Sequence, residues 1–273
     1  MRFAVADIPS PSRDAWDIGP LTIHVYGIVI VTAVLVATYI FGRRLEARGI
    51  GTMDDAVTLG VTGAAAGLIG GRIYHVATSW NAYSDRLGDI PRIWEGGLGI
   101  PGALIAGVVV GSLVARRRGI PIGEALNCAA PAIAIGQAIG RLGNWFNQEL
   151  YGRATTLPWG LQIDEAHRQP GHLGESTYHP TFLYEALWNL ALAGLLIMVD
   201  RRRTVGPGRL FALQITLYGV GRFWIEGLRI DPADTVGGLR WNQWMAAAAV
   251  VGGLTYLFLT RNREDHTAQI DVS

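Results

Sequence analysis

Seven apolar stretches, each near the length of a bilayer-crossing helix, run through this 273-residue chain: roughly Leu21 to Phe41, Ala56 to Ser79, Leu98 to Ala115, Ile122 to Ile139, Pro180 to Val199, Arg209 to Glu226 and Trp241 to Thr260. A hydrocarbon core about 30 Å thick takes about 20 mostly apolar residues to cross as a helix, which satisfies its own backbone hydrogen bonds. Charged residues make up 16% of the chain, against about 25% in a typical soluble domain. The expected fold is an all-α polytopic integral membrane protein with about seven transmembrane helices, folded as a single domain over 1–273.

All 23 basic residues of the Lys+Arg class are arginine. They cluster at Arg43, Arg44 and Arg48, at Arg116 to Arg118, at Arg201 to Arg203, and at Arg261 and Arg263, after the first, third, fifth and seventh stretches. All four clusters then fall on one side, which the positive-inside rule makes cytoplasmic, with the N-terminus outside and the C-terminus inside. The other side receives the loops Trp80 to Gly97 and Gly227 to Arg240, and the long segment Arg141 to His179, expected to form a small extracytoplasmic head. Met1 to Pro20 carries three aspartates and three prolines and no apolar h-region, so the first span is expected to act as its own insertion signal. The hydrophilic residues 262–273 are expected to be a disordered cytoplasmic tail.

One polar run does not belong in lipid: Gly140-Arg141-Leu142-Gly143-Asn144-Trp145-Phe146-Asn147-Gln148-Glu149. Arginine, asparagine and glutamate at the end of a membrane helix are costly unless they face water, one another or a polar ligand. If Gln137 to Glu149 is helical, Gln137, Arg141, Asn144 and Gln148 share one stripe. Otherwise the two glycines break the helix and turn backbone N–H groups toward the site. Either geometry suits an anion, and simple snorkelling of Arg141 to headgroups would leave the neighbouring Asn144, Asn147 and Glu149 unexplained.

The sixth stretch carries Tyr218, Arg222, Glu226 and Arg229 on one helical face, with Arg222 and Glu226 spaced to pair and Arg229 left as a second positive charge near the outer mouth. His24 and Tyr26 sit at the outer end of the first stretch, where Tyr26 equally fits an interfacial aromatic belt. Arg72, His75 and Glu185 are further polar residues within apolar stretches. Small-xxx-small pairs at Gly63/Gly67, Gly67/Gly71, Gly107/Gly111 and Gly136/Gly140 favour close helix packing.

Other classes are narrowed by what is missing from the sequence. The single cysteine, Cys128, lies in the fourth apolar stretch and reads as packing. There is no G-x-S-x-G, H-E-x-x-H or Walker A, so a serine hydrolase, a zincin or a P-loop nucleotide user is unsupported. A net charge of +1 gives no argument for a nucleic-acid partner. A transporter or flippase for an anionic lipid would use the same arginines, but the inverted repeats common in transporters are absent.

With these residues placed, the chain strongly resembles the bacterial prolipoprotein diacylglyceryl transferases over nearly its whole length. The family signature Gly-Arg-x-Gly-Asn-x-x-Asn-x-Glu is matched by Gly140, Arg141, Gly143, Asn144, Asn147 and Glu149, with Gly152 following. His24, Tyr26 and Gly27, Gly70 to Arg72, Trp94-Glu95-Gly96-Gly97, His179-Pro180, Tyr184-Glu185, and Tyr218-Gly219 with Arg222, Glu226 and Arg229 add to the likeness. The resemblance implies transfer of diacylglycerol from phosphatidylglycerol to the lipobox cysteine of prolipoproteins, without metal or nucleotide, at the outer face of the bacterial cytoplasmic membrane.

The implied catalytic set is Arg141, Arg222, Glu149, Tyr26 and His24; the implied substrate contacts are Arg141, Asn144, Asn147, Gly152, Tyr218, Glu226 and Arg229. Arg141 and Arg222 would hold the phosphate, and Asn144, Asn147 and Glu149 would orient the headgroup hydroxyls. Many relatives carry His-Gly-Gly where this chain has Pro101-Gly102-Ala103, so a histidine base is not carried over. His24, Glu149 and Glu226 remain candidates, and the arginines alone would also stabilise a thiolate. A catalytically silent, lipid-binding relative is the alternative that the Pro101 departure suggests.

Overall fold

The computed structural model describes residues 7–19, 21–93 and 96–261. Trp94-Glu95 of the family-like segment, Arg263 and the hydrophilic tail lie outside the described residues. Among those described there are seven α-helices: α1 Val25–Ala47, α2 Met53–Thr78, α3 Ile100–Arg117, α4 Ile122–Phe146, α5 Thr181–Arg202, α6 Arg209–Glu226 and α7 Trp241–Leu259. Four of them, α1, α2, α4 and α5, are long and apolar enough to cross a membrane. In α6, Arg209, Arg222 and Glu226 dilute an otherwise apolar 18-residue helix. The surface is inverted relative to a soluble protein: α7 buries Gln243, Ala246 and Gly253 while Val251, Leu254, Phe258 and Leu259 are exposed. An exposed apolar face of this extent suits lipid, and the chain is a mostly helical, membrane-embedded protein.

Short antiparallel ladders complete the fold: β1 Ala15–Ile18 with β2 Leu21–His24, β3 Leu161–Gln162 with β4 Thr177–Tyr178, and β5 Thr235–Val236 with β6 Leu239–Arg240. The β1–β2 hairpin takes the first four residues of the stretch read from sequence as helix, so His24 ends a strand, opposite Ala15. The alternation Leu-Thr-Ile-His and the left-handed Gly19 before it, at φ 63°, account for the hairpin.

The contacts divide the chain into two units, Met1–Ala37 with Ala129–Ser273, and Thr38–Cys128. In the second, α2 and α3 meet through small residues: a Cβ on Gly70 would run into Ala106 and the Gly102 carbonyl. Thr52 and Asp55 cap α2 reciprocally, and Cys128 is buried in a core with Leu45, Ala56, Leu59 and Ala115.

In the first unit, Ala130 and Ala134 of α4 pack against Leu192, Ala193 and Leu196 of α5 and Leu210 of α6. The segment between α4 and α5 has its own core of Tyr151, Leu161, Ile163 and Tyr178, joined by Phe182. Tyr151 Oη donates to the His167 carbonyl and accepts from the Gln169 N–H, closing the loop on itself. Burial raises the Tyr151 and Tyr178 hydroxyl pKa values above the ordinary tyrosine value, so both remain neutral donors there.

Candidate active site: a charge-balanced arginine network

The site lies in the first unit and grows from the last turn of α4. Arg141 Nη1 donates to Asn144 Oδ1 at 3.1 Å, three residues on. The helix then stops at Phe146. Gln148 and Leu150 adopt φ of 51° and 59°, the left-handed region in which a residue other than glycine is uncommon. This turn sends Glu149 back toward the helix end, where Oε1 accepts from Asn144 Nδ2 at 2.8 Å and Asn147 Nδ2 at 3.2 Å. It also removes Gln148 from the stripe read in the sequence: its amide pairs with Asp164 and reaches the Pro11 carbonyl. Gln137 does remain inside, accepting from Gln214 of α6.

The central feature is Glu185, on α5. Its Oε1 is 2.7 Å from Arg141 Nη2 and its Oε2 is 3.1 Å from Arg222 Nη1, so one carboxylate bridges two guanidiniums. Arg222 continues to Glu226 Oε2 at 2.7 Å, the i, i+4 pair expected from α6. Glu226 is fully buried and also meets Arg229 at 3.3 Å and Arg240 at 2.8 Å, with Asn242 Nδ2 donating at 3.1 Å. Arg229 is therefore no free cation at a mouth. It forks onto Asp231 at 2.7 and 2.8 Å, and Arg240 adds a further bond to Asp231 at 2.9 Å. Tyr218 Oη is 3.4 Å from Glu185.

Four guanidiniums (Arg141, Arg222, Arg229, Arg240) thus pair with three carboxylates (Glu185, Glu226, Asp231) in one connected cluster, to which Glu149 adds a fourth carboxylate through the amide of Asn144. Burying charges is costly unless each is paired, and losing one partner strands another. Asp231, in the loop after α6, shows the result. Burial would push its carboxyl up, yet the hydrogen bonds and charges of Arg229 and Arg240 hold it below the ordinary carboxylate value.

A recess opens on this cluster. It is lined by the polar Arg141, Asn144, Thr181, Glu185 and Arg229 and by the apolar Leu150 and Phe182. Guanidiniums beside Leu150 and Phe182 offer donors to an anion that carries an apolar part.

The remaining candidates are placed as follows. Tyr26, in the first turn of α1, lays its ring on Gly143, where a Cβ would sit 2.5 Å from Tyr26 Cδ2. Gly143 thus lets the ring reach the turn bearing Arg141 and Asn144. Gly152 sits where backbones crowd: it bridges to Arg229, and a Cβ would lie 2.8 Å from His179 Cβ. His24 is exposed, and no hydrogen bond or ion pair joins it to the network among the described residues. His179 shares a 3.0 Å hydrogen bond with Tyr184 Oη, and burial, aided by Arg153, lowers its pKa below the ordinary histidine value. Arg72 and His75 belong to the second unit, where Arg72 binds loop carbonyls.

Fold and site together define a helical membrane protein with an arginine–carboxylate network beside a small recess. A family model described as prolipoprotein diacylglyceryl transferase matches residues 13–259. Proteins named phosphatidylglycerol--prolipoprotein diacylglyceryl transferase are 49% identical over 265 residues in Frankia alni and 48% identical over 259 in Cutibacterium acnes. These alignments cover 95% and 94% of this chain, and 69% and 87% of the relatives. A Streptomyces coelicolor protein of the same name, numbered 2, is 46% identical over 262 residues, covering 95% of this chain and 82% of its own. The chain belongs to the prolipoprotein diacylglyceryl transferase family and is a transferase.

Proposed function

We infer that the chain performs the reaction its relatives are named for, on phosphatidylglycerol and prolipoprotein: the diacylglyceryl group passes to the lipobox cysteine thiol, a thioether forms and glycerol 1-phosphate leaves. This is the first step of lipoprotein maturation. The observation that carries the reading at residue level is the bridge from Arg141 through Glu185 to Arg222, beside a recess lined by Arg141, Arg229, Leu150 and Phe182.

In this reading the lipid phosphate engages Arg141 at the recess, since a guanidinium offers paired, charge-assisted donors to phosphate oxygens. Arg222, behind Glu185, supports the same charge. Glu149, Asn144 and Asn147 meet the headgroup hydroxyls, and a site built to bond hydroxyls discriminates against lipids lacking them. Glu226, enclosed by three guanidiniums, organises the cluster and is a poor candidate for the base. Tyr26, Gly152, Tyr218 and Arg229 shape the pocket around the reacting groups.

The proposed setting is the bacterial cytoplasmic membrane, with seven spans in one catalytic domain. The N-terminus lies outside, the C-terminus in the cytoplasm, and the segment of about 141–179 forms an extracytoplasmic head over the site.

The test is mass spectrometry of a lipobox peptide incubated with the purified protein in phosphatidylglycerol liposomes. A diacylglyceryl mass gain on cysteine with release of glycerol phosphate is expected. No gain from folded protein, beside a working family member, would overturn the reading. Equal use of phosphatidylethanolamine would contradict the headgroup assignment.

A further inference from the structure

We propose that Glu185 is an internal anion which the substrate phosphate displaces from Arg141, and that the freed carboxylate then takes the proton of the attacking thiol. The proposal rests on the transferase reading above and adds a base to it. Among the described residues, Arg222, Arg229 and Arg240 each hold two carboxylates, whereas Arg141 holds Glu185 alone. Arg141 is also the most exposed of the four, its side chain at 24% against 12%, 8% and 13%. It is the guanidinium that an incoming anion reaches first and the one that gives up least on exchanging partners.

Glu185 is arranged to let go. Its Oε1 faces Arg141 at the recess while Oε2 stays on Arg222, so leaving Arg141 does not strand the carboxylate. One turn along the same face of α5, Asn189 is fully buried with both amide atoms unpartnered among the described residues. Such a group calls for a partner that arrives in another state, a shifted carboxyl or a water. The charged and titratable groups around Glu185 are Arg141 from α4, Tyr218 and Arg222 from α6, and then Glu226 and Arg229 beyond them. On its own helix, Tyr184 is engaged by His179 and Trp159.

Charge balance gives the direction of proton flow. A bound phosphodiester adds a negative charge to a cluster of four guanidiniums and four carboxylates, and a proton on one carboxylate restores the balance. A carboxylate that has lost a cation in a poorly solvated site holds that proton most readily. The thiol proton moves to Glu185, and sulfur bonds the glyceryl carbon as its C–O bond to phosphate breaks. The C–O electron pair leaves on the phosphate oxygen. Glycerol phosphate then collects the proton and departs, and Glu185 returns to Arg141.

The test is the kinetics of the parent, Glu185→Gln and Glu185→Asp from pH 6 to 9, with phosphatidylglycerol and a lipobox peptide. Glutamine neither competes for Arg141 as an anion nor accepts the proton. Its KM for phosphatidylglycerol is expected to fall about tenfold, the worth of one competing charge-assisted bond. Its kcat at pH 7 should fall about 100-fold and recover about tenfold per pH unit toward the thiol pKa near 8.5, a steeper profile than the parent's. Glu185→Asp should keep the parent's pH profile. A raised or unchanged KM, or a Gln profile parallel to the parent's, would overturn the proposal, as would failure of both variants to fold. An inactive parent sinks the functional reading and this one with it; an active parent with parallel profiles sinks this one alone.

Discussion

Two arginines, one in each unit, Arg72 buried and Arg141 half-buried, show what a charge inside an apolar fold can mean. Arg72 spends its guanidinium on backbone: it donates to the carbonyls of Ile90, Gly96 and Asp89 at 2.6, 2.7 and 2.7 Å and lies 5.2 Å from the Tyr83 ring centre. Those acceptors belong to a loop the arginine holds shut, and exchanging any of them would open it. Arg141 instead leans on one carboxylate and one amide beside a recess. Burial alone therefore does not mark a site. The replaceability of the partners does.

The comparison breaks most visibly on Arg141→Ala. Removing a preorganised donor of this kind typically costs about 100-fold to 1,000-fold in rate; transfer should fall by that much while the purified protein keeps its melting temperature within a few degrees. Retained turnover would take Arg141 out of the mechanism. Glu226→Ala acts on the other end of the network and should act through stability, because three guanidiniums lose a shared partner. Breaking such buried pairs costs about 3–5 kcal/mol, to be read as a large drop in detergent melting temperature.

Arg72→Ala should be smaller and of another kind. Hydrogen–deuterium exchange should rise over the loop of residues 80–97, with transfer per folded molecule within a few-fold of the parent. A loss as deep as that of Arg141→Ala would erase the distinction. The smallest effect concerns Asp231. Its folded pKa is depressed, so its contribution is present above the unfolded value near 3.9 and is lost as pH falls through the folded one. Melting between pH 7 and pH 3 should show that loss only at the acid end, and Asp231→Asn should reduce it.

Local parts of the site were legible in the sequence and distant ones were not. Arg222 with Glu226, and Arg141 with Asn144, follow from helical spacing alone. Glu185 was visible as a polar residue in an apolar stretch and as part of the family-like Tyr184-Glu185, but not as the bridge, because its partners come from two other helices, Arg222 lying 37 positions away. Arg229, read from the sequence as a second positive charge near the outer mouth, is paired by Asp231 from the loop after α6 and by Glu226 three positions back. Gln148 was misplaced because helical periodicity was carried past Phe146, where two left-handed residues turn the chain. Of the glycine pairs of α2 and α3, Gly63, Gly67, Gly71 and Gly107 do lie at the close approach of the two helices, whereas a Cβ on Gly111 would meet nothing within 4 Å.

The most direct test of the account is a phosphorus NMR titration of glycerol 1-phosphate and short-chain phosphatidylglycerol into the detergent-solubilised parent, Arg141→Ala and Arg72→Ala. The account predicts saturable broadening with the parent and with Arg72→Ala, and its loss with Arg141→Ala. Equal broadening by the parent and Arg141→Ala would contradict it, because the phosphate would then be held somewhere other than the arginine at the recess.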